Sequence, residues 1–360
     1  MRRAEAILDL ARWAPSGDNT QPWRFTIRSD DELLVHGYDT RDSCVYDLDG
    51  WASQLSHGAL LETLSLAATR FGVRARVADV DDADERHLVY RVRFEADPKL
   101  REDELVPEIE RRTVQRQPMA TTALRDTDRR SLEAAARPYD VAWLSSARDR
   151  RRMAWLSVRN AHIRLTIPEA YDVHKAVIAW HTTTTEDRLP DAALGADPAL
   201  LATMRWAMHS WKRIEFMNRF AAGTVMPRLA MDFLPAVACS AHFALLAQDE
   251  PRTAPERIDA GRAVQRFWLR ATALGLQLQP NYTPLVFARY AREGRAFTRV
   301  AAARKRAAEI ARRLDAVLAP RNATRAVFLG RIGPERPVKG RSLRLPLQRL
   351  VVDAAPDRLG

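Results

Sequence analysis

The stretch of sequence that decides the fold is Arg12-Trp13-Ala14-Pro15-Ser16-Gly17-Asp18-Asn19-Thr20-Gln21-Pro22-Trp23-Arg24-Phe25. It joins a helix to a strand, and both are predicted from the spacing of apolar residues: Ile7, Leu10, Ala11 and Ala14 in the helix, and Trp23, Phe25 and Ile27 in the strand. The joint carries backbone N–H groups, a hydroxyl and two amides, which suit a flat heterocycle with a polar edge. A plain helix-to-strand turn explains the same residues, because turns favour Pro, Ser, Gly, Asp and Asn for local reasons.

The pattern Ala-Pro-Ser-Gly-x-Asn-x-Gln-Pro-Trp-x-Phe, from Ala14 to Phe25, resembles the signature of the flavin-dependent nitroreductase family. In that family the loop packs against bound FMN. The resemblance therefore implies an α+β, nitroreductase-like fold that binds FMN. The cofactor-binding residues that it implies in and beside the loop are Arg12, Pro15, Ser16, Gly17, Asn19 and Gln21.

Length and composition predict a globular protein larger than the usual single domain. The chain has 360 residues, of which 46% are hydrophobic. It has no run of 18 apolar residues, and its N-terminus continues directly into an amphipathic helix, so neither a membrane span nor a signal peptide is predicted. Cys44 and Cys239 form no disulfide framework and have no metal-ligand spacing, so we expect a cytoplasmic protein.

The formal charge of +11 would ordinarily suggest nucleic acid or an anionic membrane as a partner. The cations are nearly all arginine and are spread along the chain among Ala and Asp. We interpret this as a compositional bias and expect neither partner. A ligand with a phosphate would use only a few of these arginines.

A second signal lies inside the chain, where residues 58–73 align without a gap on residues 261–276. Both segments begin with Gly and share a Leu, an Ala, a Thr and a later Gly, which indicates an internal duplication. Chance similarity of two Ala/Leu helices that end in Gly is the alternative. Nitroreductases are usually two-fold dimers with shared flavin sites, so the resemblance implies an intramolecular pseudo-dimer. Its two fused half-units are predicted at 1–104 and 105–360.

The second half-unit opens with residues 109–118, which resemble the Arg-Arg-Ser-Val-Arg opening of a nitroreductase. The resemblance implies that Arg111, Arg112 and Thr113 bind the phosphate and ribityl chain of FMN, and arginine suits phosphate through charge-assisted hydrogen bonds. Gln115 departs from the family, which prefers a cation there. Near the end of the chain, Arg344 lies in an Arg-x-Pro-like segment and is implied as a second phosphate ligand.

The segment 279–284 resembles the part of the family that approaches the reactive edge of the flavin. Pro280 matches, whereas Tyr282 and Thr283 replace the usual Glu and Gly, which puts ordinary nitroreductase activity in doubt. Residues 150–232 are predicted as a helical insertion that covers the flavin site, with an extra structural layer as the alternative. Residues 233–247 are long and apolar enough to be one buried strand.

Periodicity and caps predict most other elements. The predicted helices are 55–71, 126–136, 261–275 and a basic helix at 297–318. The predicted strands are 73–80, 88–94, 139–144 and 325–332.

Motifs of the common dinucleotide-binding, NTPase, serine-hydrolase and zinc-protease classes are absent from the sequence. The histidines are scattered, so we predict no metal site. His242, inside an apolar run, is interpreted as a core residue. No residue is assigned as catalytic.

We expect an FMN-dependent oxidoreductase that passes reducing equivalents to an unidentified acceptor, with NAD(P)H as the candidate reductant. One alternative is a protein that binds or sequesters FMN without turnover, like the dormancy-associated homologues that this layout also resembles. Another is a flavoenzyme that modifies a peptide or a biosynthetic intermediate. A single chain is expected to suffice for flavin binding, and a homodimer is the alternative.

Overall fold

Helices and strands alternate along the chain in a mixed α+β fold, which confirms the predicted class. The computed structural model describes residues 2–79, 85–220, 223–335 and 340–353. The strands are β1 (Trp23–Ile27), β2 (Glu32–Tyr38), β3 (Val73–Asp79), β4 (His87–Ala96), β5 (Asp140–Leu144), β6 (Ile178–Ala179), β7 (Thr184–Thr185), β8 (Leu189–Pro190), β9 (Ala241–Leu246), β10 (Leu276–Pro280), β11 (Ala326–Pro334) and β12 (Arg341–Ser342). The α-helices are α1 (Arg3–Ala11), α2 (Trp51–Thr69), α3 (Asp126–Ala136), α4 (Ala147–Thr166), α5 (Pro168–Val177), α6 (Pro198–Ala207), α7 (Trp211–Phe220), α8 (Val225–Pro227), α9 (Leu234–Val237), α10 (Ala254–Ala273), α11 (Thr283–Arg292), α12 (Ala301–Leu318), α13 (Pro320–Arg325) and α14 (Leu347–Leu350).

Two four-stranded antiparallel sheets share one topology. The first has the order β1-β2-β4-β3 and the second the order β5-β9-β11-β10. In each sheet the strands therefore lie in the order first, second, fourth, third along the chain. A helix precedes the first strand (α1 or α3), and a long helix follows the second strand (α2 or α10). The boundary predicted at residue 104 lies between the two sheets and stays a prediction.

The long helices α2 and α10 cross at their glycines. A Cβ added to Gly58 would lie 1.9 Å from the backbone oxygen of Ile258, and one added to Gly261 would lie 2.1 Å from that of Leu55. Each oxygen belongs to the residue three positions before the opposite glycine, so the contact is reciprocal. Only glycine permits two backbones to approach this closely. The crossing joins the two halves of the molecule along buried faces of both helices.

The second sheet is covered on both faces, which explains its apolar sequence. On β9, Phe243 and Leu245 pack towards α10, while Ala244 and Leu246 pack with α4, α11 and α12. The first sheet instead buries one face, where Trp23 and Phe25 pack against α1 and α2. Because the other face of this sheet is open, buried and exposed side chains alternate along the second half of β4.

The prediction of one strand over residues 233–247 is wrong in its first half. Residues Arg228–Phe233 form a π-helix, α9 follows, and the strand begins only at Ala241. Pro235 stands in the first turn of α9, where its missing N–H costs nothing, whereas a central strand would lose a hydrogen bond there. Apolar content alone does not distinguish a buried helix from a buried strand.

Most remaining differences are shifts of element ends. Helix α2 begins at Trp51 rather than at residue 55, because Gly50 adopts a left-handed backbone (φ 72°) directly before it. Helix α12 begins at Ala301 rather than at residue 297. The predicted strand 73–80 ends at Asp79, and its last residue lies outside the described part. The region 150–232 is mainly helical, and it also contains the short strands β6, β7 and β8.

In the described ranges, no helix combines the length and the apolar character that crossing a membrane requires.

Candidate functional site

A cavity of about 390 Å³ lies between the two halves of the molecule, within the size range of small-molecule sites. Its walls include the loop after α1, the start of α2, residues 112–116, the end of β10, and β12 with Arg344, and further side chains come from α4, α5 and α10. Ten of the thirteen predicted cofactor-binding residues line it: Pro15, Ser16, Gly17, Asn19, Arg112, Thr113, Pro280, Tyr282, Thr283 and Arg344. Segments distant in sequence thus meet at one place, as the prediction requires.

The loop after α1 has an unusual backbone. Asp18, Asn19 and Gln21 all have positive φ values, of 48°, 64° and 48°. Side chains other than glycine seldom adopt this conformation, which costs free energy and is concentrated at functional sites. The loop is held by Ser16, whose Oγ accepts a hydrogen bond from the backbone N–H of Gln21 at 2.9 Å.

Three arginines form one pole of the cavity, called here the arginine end: Arg112, Arg341 and Arg344. Nη2 of Arg112 and Nη2 of Arg344 both donate to the carbonyl of Trp13, at 3.4 and 3.3 Å. None of the three arginines forms an ion pair with a carboxylate of the described residues. Nε of Arg112 is buried without a hydrogen-bond partner.

Burial and mutual repulsion lower the pKa values of guanidinium groups at the arginine end. Burial, followed by repulsion from Arg344 and Arg341, lowers the pKa of Arg112 well below its usual range. Burial, followed by repulsion from Arg341 and Arg12, lowers the pKa of Arg344 to about 9. Keeping several buried guanidinium groups charged side by side costs free energy, and an anion that binds between them offsets this cost. The arginine end therefore suits a phosphate.

Arg12, Gln21 and Arg111 are not part of the cavity lining. Arg12 pairs with Asp9 at 2.7 Å, and Arg111 is 70% exposed and pairs with Glu108 at 3.0 Å. Gln21 is fully buried behind the loop and binds backbone groups: its Nε2 donates to the Glu186 carbonyl and its Oε1 accepts from the Leu345 N–H. The structure therefore places these three predicted residues outside the cavity lining.

Asn19 has a mixed position. Its side-chain Nδ2 donates to the carbonyls of Glu186, Arg188 and Leu343, at 3.0, 3.3 and 3.2 Å. Its Oδ1 is buried without a partner. The residue therefore ties the loop to the insertion and to the C-terminal segment while it lines the cavity.

The segment at the end of β10 contributes its predicted residues from the opposite wall. Thr283 begins α11 and its Oγ1 accepts from Nδ2 of Asn160 at 2.7 Å. Tyr282 stacks with Phe328 at 6.4 Å between ring centroids, and burial raises the pKa of its hydroxyl. Thr113 donates weakly to Oε1 of Gln277 at 3.4 Å.

A second pole, called here the charged end, consists of Asp18, Arg116, Arg164 and Asp232. Arg164 and Asp232 form an ion pair at 2.8 Å, and burial raises the pKa of Asp232 to about 6 although Arg164 opposes this. Burial also raises the pKa of Asp18, and the positive charges of Arg116 and Arg164 partly offset this increase.

A neutral pair adjoins the charged end. The Tyr46 hydroxyl and Nε2 of His174 are 3.0 Å apart. Burial, followed by repulsion from Arg164, lowers the pKa of His174 to about 3, and burial raises the pKa of Tyr46. At neutral pH both side chains are therefore uncharged hydrogen-bonding groups.

Sequence analysis did not identify the residues of the charged end or Tyr46 and His174. All three of Arg164, His174 and Asp232 come from the predicted insertion: Arg164 lies on α4, His174 on α5 and Asp232 on the π-helix at its end. Asp18 lies inside the recognised motif, so its position carried a signal. The other residues had no such signal in the sequence, because a single charged or histidine side chain on a helix does not show which part of the molecule it will contact.

Among the described residues, no group of three His, Cys, Asp or Glu side chains is placed to hold a metal ion. The two cysteines are unpaired.

The chain matches no protein-family model and no curated protein. Among solved structures it is similar to a crystal structure of the nitroreductase-like family protein from Bacillus cereus. The two are 15% identical, and the match covers 69% of this chain and 94% of the other, with a TM-score of 0.32. Identity and TM-score at this level leave the fold family open.

Proposed function

We propose that the chain is an FMN-dependent oxidoreductase of the nitroreductase type, with a nitroreductase-like fold built from two fused half-units. The observation that carries this proposal is the convergence on one cavity of the loop at 15–19, the pair Arg112 and Thr113, the segment 280–283 and Arg344. The identical strand order of the two sheets and the reciprocal glycine crossing support the fused pair.

The residues that line the cavity fit both ends of an FMN molecule, its phosphate and its ring system. A phosphate at the arginine end would supply the missing counter-charge for Arg112 and Arg344 and an acceptor for the unpartnered Nε of Arg112. Pro15, Ser16 and Tyr282 would contact the flat ring system. The cofactor would supply the redox chemistry, while the protein binds it, orients it and limits access of water.

The test is flavin binding by the purified protein and three arginine variants. We expect the protein to bind FMN. Replacing Arg344 or Arg112 with Ala should weaken FMN binding roughly tenfold to a hundredfold, the scale of a hydrogen bond to a charged group. Riboflavin, which lacks the phosphate, should bind both variants nearly as it binds the parent protein. The measurement is quenching of flavin fluorescence during titration.

Arg111→Ala is the matched control, because this neighbouring guanidinium points to Glu108 and not into the cavity. It should leave FMN affinity unchanged. A protein that takes up no FMN would refute the proposal. Equal losses of FMN and riboflavin in the Arg344 variant would show that this arginine acts only on the fold, through its bonds to Ala14 and Trp13.

Tyr282 favours a second candidate, an FMN-binding protein without NAD(P)H turnover. A hydride donor must place its reacting atom about 3–3.5 Å from the flavin. A bulky tyrosine where the family has Glu, and a wall that includes Arg164 and Asp232 of the helical region, would both oppose such stacking.

We expect NADH and NADPH to reduce the bound FMN slowly, whereas dithionite or light, which require no stacking, reduce it quickly. Anaerobic stopped-flow absorbance near 450 nm measures both rates. Tyr282→Gly should accelerate reduction by NAD(P)H and leave reduction by dithionite unchanged. Fast, saturable reduction of the parent protein by NADH or NADPH would exclude the second candidate.

A further inference from the structure

Asp18 lies in the cavity wall at the charged end. The residue is partly exposed, and its carboxylate accepts no hydrogen bond from any residue in the described ranges. Its backbone is left-handed, with φ 48° and ψ 21°, in a turn that already contains a glycine next to it. Strained backbone at a non-glycine residue is concentrated at functional sites, and here it places in the cavity wall a carboxylate that no described residue binds.

The two arginines of the charged end have donors to spare. A guanidinium has five N–H donors. Arg116 uses one of them, from Nη1 to the Ala193 carbonyl at 3.3 Å. Arg164 uses Nη2 for Asp232, and its Nε is buried without a partner.

The signs of the charges define what this pole can accept. Asp18 and Asp232 balance Arg116 and Arg164, so the charged end is neutral overall. Arg164 is paired with Asp232, whereas Arg116 and Asp18 form no ion pair with each other or with another described residue and remain as separated charges of opposite sign. A simple anion near the arginines would also face Asp18, and a simple cation near Asp18 would also face the arginines. A group with both charges satisfies both, because complementary potentials favour the matched partner and disfavour the others.

We propose that the charged end binds the zwitterionic amino-acid group of the acceptor molecule, with its carboxylate on Arg116 and Arg164 and its ammonium on Asp18. The proposal rests on the proposed function, since the acceptor would lie beside the flavin. It names the substrate class as an amino acid, or a molecule with a free amino-acid group, that carries a reducible part.

Four nitroaromatic compounds with nearly the same skeleton test this class. They are 4-nitrophenylalanine as the zwitterion, 3-(4-nitrophenyl)propanoate as the anion, 2-(4-nitrophenyl)ethylamine as the cation and 4-ethylnitrobenzene as the neutral compound. Isothermal titration calorimetry with the oxidised protein, both FMN-loaded and FMN-free, measures binding without turnover. We expect the zwitterion to bind roughly tenfold to a hundredfold more tightly than each of the others.

Two substitutions separate the contributions. Asp18→Asn keeps the shape but removes the charge, so it should abolish the preference for the zwitterion over the anion. Arg116→Gln should weaken binding of the zwitterion and the anion and leave the neutral compound unchanged. Glu215→Gln, an exposed carboxylate on α7, is the control and should change nothing.

The possible failures are distinguishable. Equal binding of the four compounds, or an unchanged preference in the Asp18→Asn protein, would overturn the inference. A large loss of FMN affinity in Asp18→Asn would also overturn it, because Asp18 would then serve the cofactor. If the parent protein binds no FMN, the proposed function fails, while the FMN-free titrations still report whether the charged end selects a zwitterion.

Discussion

The side-chain amides of Asn19 and Gln21 hold the loop of the cavity to other segments of the chain. Gln21 and Asn19 use their side chains to hold the backbone of Glu186 and of residues 343–345. These contacts fix the loop against two segments that are more than 160 residues away in sequence. Some residues of a sequence motif therefore hold the site in shape, while others are available to contact a ligand.

Buried histidines give a prediction about acid stability. Burial lowers the pKa of His242 and of His57 to about 4 each, from an ordinary 6.5. Between these values the unfolded chain binds protons that the folded chain does not, so the free energy of unfolding should fall as pH decreases from 6.5 to 4. From pH 7 to pH 5 we expect a loss of about 2 kcal/mol per histidine.

Urea denaturation at the two pH values measures this loss. His242→Gln keeps a donor for the Ala236 carbonyl but cannot be protonated, so it should reduce the pH dependence by about 2 kcal/mol. His209→Gln, at an exposed position, should leave the dependence as it is. An unchanged slope in the His242 variant would show that this histidine does not titrate on unfolding.

At the scale of elements, α2 and α10 are the pair that holds the halves together. Beyond the glycines, Glu62 accepts from Arg266 at 2.8 Å, and Gln265 donates to Thr63 at 2.9 Å. When residue 58 is aligned with residue 261, Glu62 corresponds to Gln265 and Thr63 corresponds to Arg266. The two contacts therefore join equivalent pairs of positions, with the two helices exchanged. The symmetry of the crossing thus extends along the interface.

We expect Gly58→Ala or Gly261→Ala to destabilise the protein by roughly 1–3 kcal/mol or more, the cost of overpacking a core. Intrinsic helix propensity acts in the opposite direction, since Ala is favoured over Gly by about 1 kcal/mol, so a loss can come only from the crossing. Gly17→Ala is the control, because its Cβ would meet no atom within 4 Å. Thermal unfolding is the measurement, and a neutral effect at both helix glycines would contradict the close contact.

At the scale of the whole molecule, the cavity is lined by segments from both predicted half-units of one chain. The loop at 15–19 and the start of α2 come from the first, and Arg112, Tyr282 and Arg344 come from the second. If the site is complete in one chain, binding of FMN needs no partner subunit.

We therefore expect the FMN-loaded protein to sediment as a 40.8 kDa species at low concentration, with flavin absorbance in the same boundary. Analytical ultracentrifugation at 450 nm over a range of dilutions measures this directly. Flavin that sediments only with a species of twice this mass, and is released on dilution, would contradict the intramolecular pseudo-dimer.

Local features of the sequence determined much of this protein. Apolar periodicity and the capping glycines at 72 and 275, both left-handed in the structure, predicted α2, α10 and the strands that follow them. The motif at 12–25 located the loop of the cavity. These signals are readable because they depend on neighbours within one or two turns of helix or one strand.

Only the tertiary structure decided which charges face the cavity. In a chain with 57 Lys and Arg residues, nothing local separates Arg112, which is buried, from Arg111, which is exposed beside it. The pairing of Arg164 with Asp232, and their placement in the same cavity as Asp18, likewise depend on long-range packing of helices. The free energy of such a charge is set by its surroundings in space, and sequence spacing does not encode those surroundings.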